Sequence, residues 1–145
     1  MIRSAKAQEA SILSDLAFRS KGYWGYTAKF LAACREELTV SRNEIAKGNV
    51  FVLEEEGRIL GFYSLEHPSS ESVELGFLFV EPRDIGAGHG RTLLEHACSE
   101  ATRRGYRKLV IQGDPNAGPF YLAMGAQLVG SRESASIPGR TLPEF

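Results

Sequence analysis

Three features of this 145-residue chain predict an α/β fold with a mixed sheet. The hydrophobic period changes along the chain, from helical spacing before residue 50 to strand-like runs after it. Three strands then follow one another, over Val50 to Leu53, Ile59 to Leu65 and Ser72 to Val80. The last leads into the glycine-rich turn Gly86-Ala87-Gly88-His89-Gly90-Arg91, which opens an amphipathic helix. Consecutive strands exclude a dinucleotide-binding domain, which would alternate β and α units.

Each element has its own reason. Ile2 to Ala5 is a short first strand. Ala10, Ile12, Leu13, Leu16 and Ala17 recur at helical spacing and predict a helix over Ala7 to Phe18, followed by a loop over Arg19 to Tyr26. Thr27 is placed to cap a second helix containing Phe30, Leu31, Ala32 and Cys34. Ser41 with Glu44 three residues later has the form of a capping box for a short helix to Ala46. Glu55-Glu56-Gly57-Arg58 is a hairpin turn, and His67 to Glu71 is the next turn. Gly88 to Arg104 is a helix with Leu93, Leu94, Ala97 and Ala101 on one face and Gly105 at its C-cap. Leu109-Val110-Ile111 is wholly apolar, as suits a strand inside a sheet covered on both faces. Asn116 to Met124 is a helix closed by Gly125. Leu128 to Gly130 and Arg140 to Phe145 are two final strands.

One domain spanning residues 1–145 is expected from this length, with no repeat or linker. Net charge is −1, so no global basic field argues for nucleic acid. The basic run Arg103 to Lys108 reads as a solvated helix end, complementing the helix dipole. Cys34 and Cys98 lack metal-ligand spacing, and each sits in an apolar helical pattern as a small buried hydrophobe. The first residues lack the apolar core of a signal peptide, and no apolar run is long enough to span a membrane. A soluble cytoplasmic protein is therefore expected, without a membrane or nucleic-acid partner and without a metal.

The glycine turn points to an anion. A helix start leaves backbone N–H groups unpaired, and the dipole favours negative charge there. A nucleotide-hydrolysing loop would need G-x-x-x-x-G-K-[S/T], and no lysine lies between Val80 and Gly105. No strand–Gly-x-Ser-x-Gly–helix arrangement occurs, so a covalent acyl-enzyme is disfavoured.

Val80-Glu81-Pro82-Arg83-Asp84-Ile85-Gly86-Ala87-Gly88-His89-Gly90-Arg91 resembles the acetyl-CoA signature of the GCN5-related N-acetyltransferase (GNAT) superfamily. That signature is a strand ending V-x-P, then Q/R-x-x-G-x-G/A, then a helix. Asp114 to Ala126 is similar, in loose form, to the family's second motif, N-x-x-A-x-x-F-Y-x-x-x-G-F. The order of strands matches as well, so the resemblance covers nearly the whole chain. The chain departs from the pattern at Ile85, where Gln or Arg is usual, at His89, where an aliphatic residue is common, and at Ala126, where an aromatic is common. Arg19-Ser20-Lys21, Trp24-Gly25-Tyr26 and Ile137 to Pro143 resemble segments of a subgroup of small bacterial members.

The resemblance implies a mostly antiparallel mixed sheet flanked by helices and splayed between its fourth and fifth strands. It implies transfer of an acetyl group from acetyl-CoA directly to a primary amine of a small molecule or protein. Ile85, Gly86, Ala87, Gly88, His89, Gly90 and Arg91 would hold the pyrophosphate, mostly through backbone N–H groups. Leu78, Phe79 and Val80 would pair with the pantetheine arm, Asn116 would hydrogen-bond it and Phe120 would pack on it. Tyr121 would protonate the leaving thiolate as general acid. Glu74 matches a position where the family often has a carboxylate, and would take the proton of the ammonium. Tyr23, Trp24 and Tyr26 would line the acceptor site. A homodimer built partly from the C-terminal strands is a further expectation. Two other functions compatible with the motifs are a CoA-binding regulatory module of weak turnover and an acyltransferase with a longer acyl donor.

Overall fold

The structure, a computed structural model, describes residues 1–111, 117–127, 130–133 and 141–144. Five strands form one sheet in the order β1 (Ile2–Ser4), β2 (Val50–Glu55), β3 (Arg58–Glu66), β4 (Ser72–Val80) and β5 (Lys108–Ile111). Neighbours are antiparallel except β4 and β5, which run parallel. A separate antiparallel pair joins β6 (Gly130–Glu133) to β7 (Thr141–Glu144).

Helices cover both faces of the five-stranded sheet. On one face lie α1 (Ala10–Gly22), α2 (Ala28–Cys34) and α3 (Arg42–Ala46). Leu13, Leu16 and Ala17 of α1 pack there with Cys34, Ile45, Val50, Val52 and Phe62. On the other face α4 (His89–Arg103) and α5 (Gly118–Ala123) meet the sheet. There Leu93, Leu94, Ala97 and Ala101 pack with Phe51, Leu53, Tyr63, Leu65, Leu75 and Tyr121. Strand alternation explains the division: Val50 and Val52 go to one core, Phe51 and Leu53 to the other. This is why β2 carries four buried apolar residues in succession.

Local chemistry accounts for the ends of the elements. The Phe30 N–H donates to Thr27 Oγ1 at 3.1 Å, capping α2 as expected. Ser41 caps α3 by accepting from the Asn43 N–H at 3.0 Å, whereas Glu44 turns to Lys47 and Asn49. Glu56 and Gly57 both have positive φ, the signature of a tight type I′ hairpin between β2 and β3. At the end of α4, Gly105 N–H donates to Thr102 O and Tyr106 N–H to Ala101 O, each at 3.0 Å, forming a Schellman motif.

Several sequence expectations are corrected. The first helix does not end at Phe18 but runs to Gly22, because Arg19 and Lys21 are good helix formers and no breaker comes before the glycine. β5 is not internal: among the described pairings it is the edge strand of the five-stranded sheet. Its apolar face is covered by α4, which its sequence alone does not distinguish from burial between strands. Cys98 is exposed, because position 98 turns away from the Leu94–Ala97–Ala101 stripe. Arg104 is not a solvated end. Its guanidinium donates to Glu100 at 3.0 Å, Asn49 Oδ1 at 2.9 Å and Gly48 O at 2.8 Å. The last of the first helices and the end of α4 are thereby tied together.

Candidate functional site

The site forms at a fork: among the described residues, the β4–β5 ladder stops short of the C-terminal half of β4. β4 pairs with β5 from Ser72–Lys108 to Leu75–Ile111, and no described residue continues that ladder along Gly76 to Val80. On its other side, β4 bulges at the same place: Tyr63 faces Leu78, but Leu65 faces Leu75, so β4 holds one extra residue. The displaced Phe77 N–H is satisfied by Ser64 Oγ at 2.9 Å. Ser64 is buried, so this contact holds the bulge in place.

A cleft of about 870 Å³ runs through the fork, a volume within the range of small-molecule sites. Leu78, Val80, Phe120 and Tyr121 contribute from the α4 face. Phe77, Phe79, Ser64, Glu66 and Glu74 contribute from the strands toward α1, with Trp24 at the end of α1. Tyr121 is 6% exposed and sits edge-on to Phe120 at 5.2 Å. Its carbonyl accepts the Ala126 N–H at 3.0 Å beyond the left-handed Gly125, which secures the end of α5.

At the other end of the cleft is the glycine turn. Gly86 and Gly88 have φ of +94° and +87°, values that glycine adopts without the strain a side chain would add. Gly88 is the N-cap of α4 and no side chain caps the helix. The first N–H groups of a helix lack acceptors within it, so His89, Gly90 and Arg91 present donors at the positive end of the dipole. Gly90 is close to Phe120: a Cβ there would lie 3.4 Å from the Phe120 ring. Two ion pairs brace the approach to the turn. Arg19 reaches Glu81 at 2.7 Å from α1, and Arg58 reaches Asp84 at 3.2 Å from β3. The second carboxylate oxygen of Asp84 is buried without a hydrogen-bond partner among the described residues.

The structure thus brings together at one cleft Glu74, Leu78, Phe79, Val80, Ile85, Gly86, Gly88, His89, Gly90, Arg91, Phe120 and Tyr121. Ile85 borders it 40% exposed. Arg91 also pairs with Glu95 at 3.0 Å on the helix surface. Ala87 is not among the lining residues, and its N–H donates to Asp84 O at 3.3 Å. Of the aromatic loop, Trp24 borders the cleft, whereas Tyr23 packs edge-on against Trp24 and Tyr26 stacks on Phe30 at 4.2 Å. Asn116 lies outside the described residues.

Among the lining residues that the sequence does not mark as part of a site are Ser64, Glu66 and His67. Glu66 stands directly opposite Glu74 in the β3–β4 register. Burial pushes its carboxyl above the ordinary carboxylate range; nearby His67 opposes this, and Glu44 and Glu74 add to it. Alternation along Phe62, Ser64 and Glu66 was legible, but its meaning depended on a register that only pairing reveals. His96 likewise showed no partner in the sequence, yet its Nδ1 lies 2.7 Å from the hydroxyl of buried Tyr63.

Residues 9–135 match the family model of the Acetyltransferase (GNAT) domain. The chain belongs to the GNAT acetyltransferase family. This GNAT chain is 28% identical over 131 residues to 5-NmdU N-acetyltransferase of Pseudomonas phage PaMx11, covering 90% of this chain and 89% of that relative. Its fold is similar to PaiA N-acetyltransferase from Thermoplasma acidophilum in complex with coenzyme A. That match has a TM-score of 0.75 at 19% identity and covers 99% of this chain and 96% of the other. A GCN5-related N-acetyltransferase from Rhodopseudomonas palustris matches with a TM-score of 0.79 at 20% identity, covering 99% and 91% of the two chains. The α/β sheet with one parallel pair is therefore the GNAT fold. Among the described residues, no helix is long and apolar enough to cross a membrane, and no group of three His, Cys, Asp or Glu could hold a metal.

Proposed function

We propose that this GNAT chain transfers an acetyl group from acetyl-CoA directly to a primary amine. The observation that carries the reading is the single cleft joining an anion-ready helix start to a forked strand edge and a buried tyrosine. The pyrophosphate fits the N–H groups at Gly88 to Arg91, where negative charge meets the positive end of α4. The edge of β4 from Gly76 to Val80, which no described strand pairs with on the β5 side, suits the amide-bearing arm of CoA, which would add to it as a strand does.

The chemistry then needs few groups. The ammonium of the acceptor gives up a proton to a carboxylate on the α1 side, where Glu66 and Glu74 lie. The free amine attacks the thioester carbonyl, a C–N bond forms and the C–S bond breaks. The departing thiolate takes the phenol proton of Tyr121, and the surplus proton on nitrogen returns to the phenolate through water. Negative charge on the carbonyl oxygen is offset by a backbone N–H at the open edge of β4, for which Val80 is the candidate.

The coenzyme A complexes among its structural neighbours and the N-acetyltransferase named among its relatives support this reading. Its test is thiol release from acetyl-CoA with a library of primary amines, beside thermal melting with acetyl-CoA. A ligand bound only by the folded state raises the melting temperature. No rise at millimolar acetyl-CoA would sink the donor assignment. Tyr121→Phe is expected to lower kcat roughly 100-fold with acetyl-CoA affinity nearly unchanged; an unaltered kcat would reject the acid role.

A further inference from the structure

We infer that Glu66, not Glu74, is the carboxylate that takes the ammonium proton of the acceptor; this rests on the acetyl-transfer reading above.

Glu66 and Glu74 are direct cross-strand partners. Alternation places both on the α1 face of the sheet. Like charges directly opposite in an antiparallel pair are destabilising, so stability does not explain the arrangement. The two carboxylates also differ in reach. The Glu66 side chain lies over Gly76, and a Cβ at residue 76 would overlap its carboxylate. Gly76 is the first residue of β4 beyond the ladder to β5. The carboxylate of Glu66 is thus seated at the fork itself, on the bulge that Ser64 holds. Glu74, by contrast, lies within the paired stretch, opposite Val110 of β5.

Position at the fork matters because that is where the two ends of the cleft meet. Tyr121 enters from the α4 face and Glu66 from the α1 face. A thioester between them would have the acid on its sulfur side and the carboxylate on the side from which the amine comes. The absence of a side chain at Gly76 makes room for this, so the glycine serves the placement of Glu66. No hydrogen bond from a described residue occupies the Glu66 carboxylate.

The environment suits a base. Burial raises the Glu66 pKa, and Glu44 from α3 and Glu74 from β4 raise it further, against His67 in the following turn. A carboxylate of raised pKa is a stronger base than an ordinary one. The step is balanced: the N–H bond of the ammonium breaks, its proton goes to a Glu66 oxygen, and the nitrogen lone pair becomes free for attack. Glu66 later returns that proton to solvent. A surrounding set of Glu44, Glu66 and Glu74 also selects acceptors that are cationic and carry no carboxylate or phosphate close to the amine.

The test uses acetyl-CoA with 1,4-diaminobutane, lysinamide and benzylamine, reading thiol release across pH. Glu66→Gln is expected to lower kcat/KM for the best of these amines at least 100-fold. It should also remove the acid limb of the pH profile while the acetyl-CoA-induced rise in melting temperature persists. Glu74→Gln is expected to cost less than tenfold and to keep that limb. Gly76→Ala displaces the carboxylate without deleting it, and is expected to lose turnover in the same direction. Wild-type rates in Glu66→Gln, or an acid limb lost in Glu74→Gln instead, would overturn the assignment. Wild-type protein that releases no thiol with any amine would overturn the acetyl-transfer reading, and this inference with it. An active wild type with an unimpaired Glu66→Gln removes the inference alone.

Discussion

The two ends of α4 are built on opposite terms. Its N-terminus starts on a left-handed glycine, carries no side-chain cap and opens on the cleft. Its C-terminus is closed three ways. Gly105 completes a Schellman motif, Glu100 is bonded to Arg103 and Arg104, and Arg104 continues to Asn49 and the Gly48 carbonyl. A helix end left without partners is costly unless water or a ligand takes them, whereas a satisfied end contributes only to stability. One helix therefore separates binding from anchoring, and substitutions at its two ends should separate them too.

The largest effect is expected at the open end. Gly88→Asp puts a carboxylate where the proposed pyrophosphate meets the N–H groups. Repulsion should weaken acetyl-CoA binding on the order of 100-fold or more. An aspartate tolerates left-handed backbone better than most residues and is itself a good N-cap, so the protein should stay folded. Calorimetric titration beside a thermal melt checks both halves, and a variant that melts early and still binds would show that this end anchors the fold rather than binds the ligand.

The reverse pattern is expected at the closed end. Arg104→Ala removes bonds to Glu100, Asn49 and Gly48, leaving polar groups partly buried and unpaired. The expected cost is about 2 kcal/mol in chemical denaturation, with acetyl-CoA affinity unchanged. An equal loss of affinity would mean that the two ends are coupled.

A smaller effect sharpens the description of the open end. Ile85 brings no side-chain donor to the turn, and it is 40% exposed beside the cleft. Ile85→Arg should tighten acetyl-CoA binding by up to about fivefold at low salt, fading as salt is added. No change at low salt would show that position 85 does not face the phosphates.

The smallest effect is a pH dependence at the closed end. Hydrogen bonds from Arg103, with a further one from Arg104, hold the Glu100 carboxylate down to about 2. A lowered carboxylate pKa adds stability above its unfolded value, and that stability is lost as pH falls toward the folded one. Melting temperature should therefore drop between roughly pH 5 and pH 2, and Glu100→Gln should flatten that drop. An identical acid profile in the variant would refute the contribution.

Much of the contrast between the two ends of α4 is legible in the sequence. Alternating glycines after a strand announced the open end, and Gly105 after a Leu93–Leu94–Ala97–Ala101 stripe announced the closed one. Thr27, Ser41 and the Glu56–Gly57 turn were legible for the same reason: their partners lie within a few residues. Arg104 was misread because its acceptors, Asn49 and Gly48, are some 55 positions away in sequence. Cys98 was misread because burial depends on how far an apolar stripe extends round a helix, which a neighbouring sheet decides. Glu66 was passed over because a carboxylate near the end of a strand is ordinary until its cross-strand neighbour is known to be another carboxylate.

The local order of the chain, from strand periods to caps to the anion-ready turn, follows from the sequence by itself, because short-range sterics and hydrogen bonds depend on neighbours a few residues apart. Tertiary structure alone decided where the sheet bulges and forks. That point depends on the registers of β3 with β4 and of β4 with β5, and registers arise from contacts between residues distant in the chain. The same pairing set Glu66 over Gly76 and opened the space facing Tyr121.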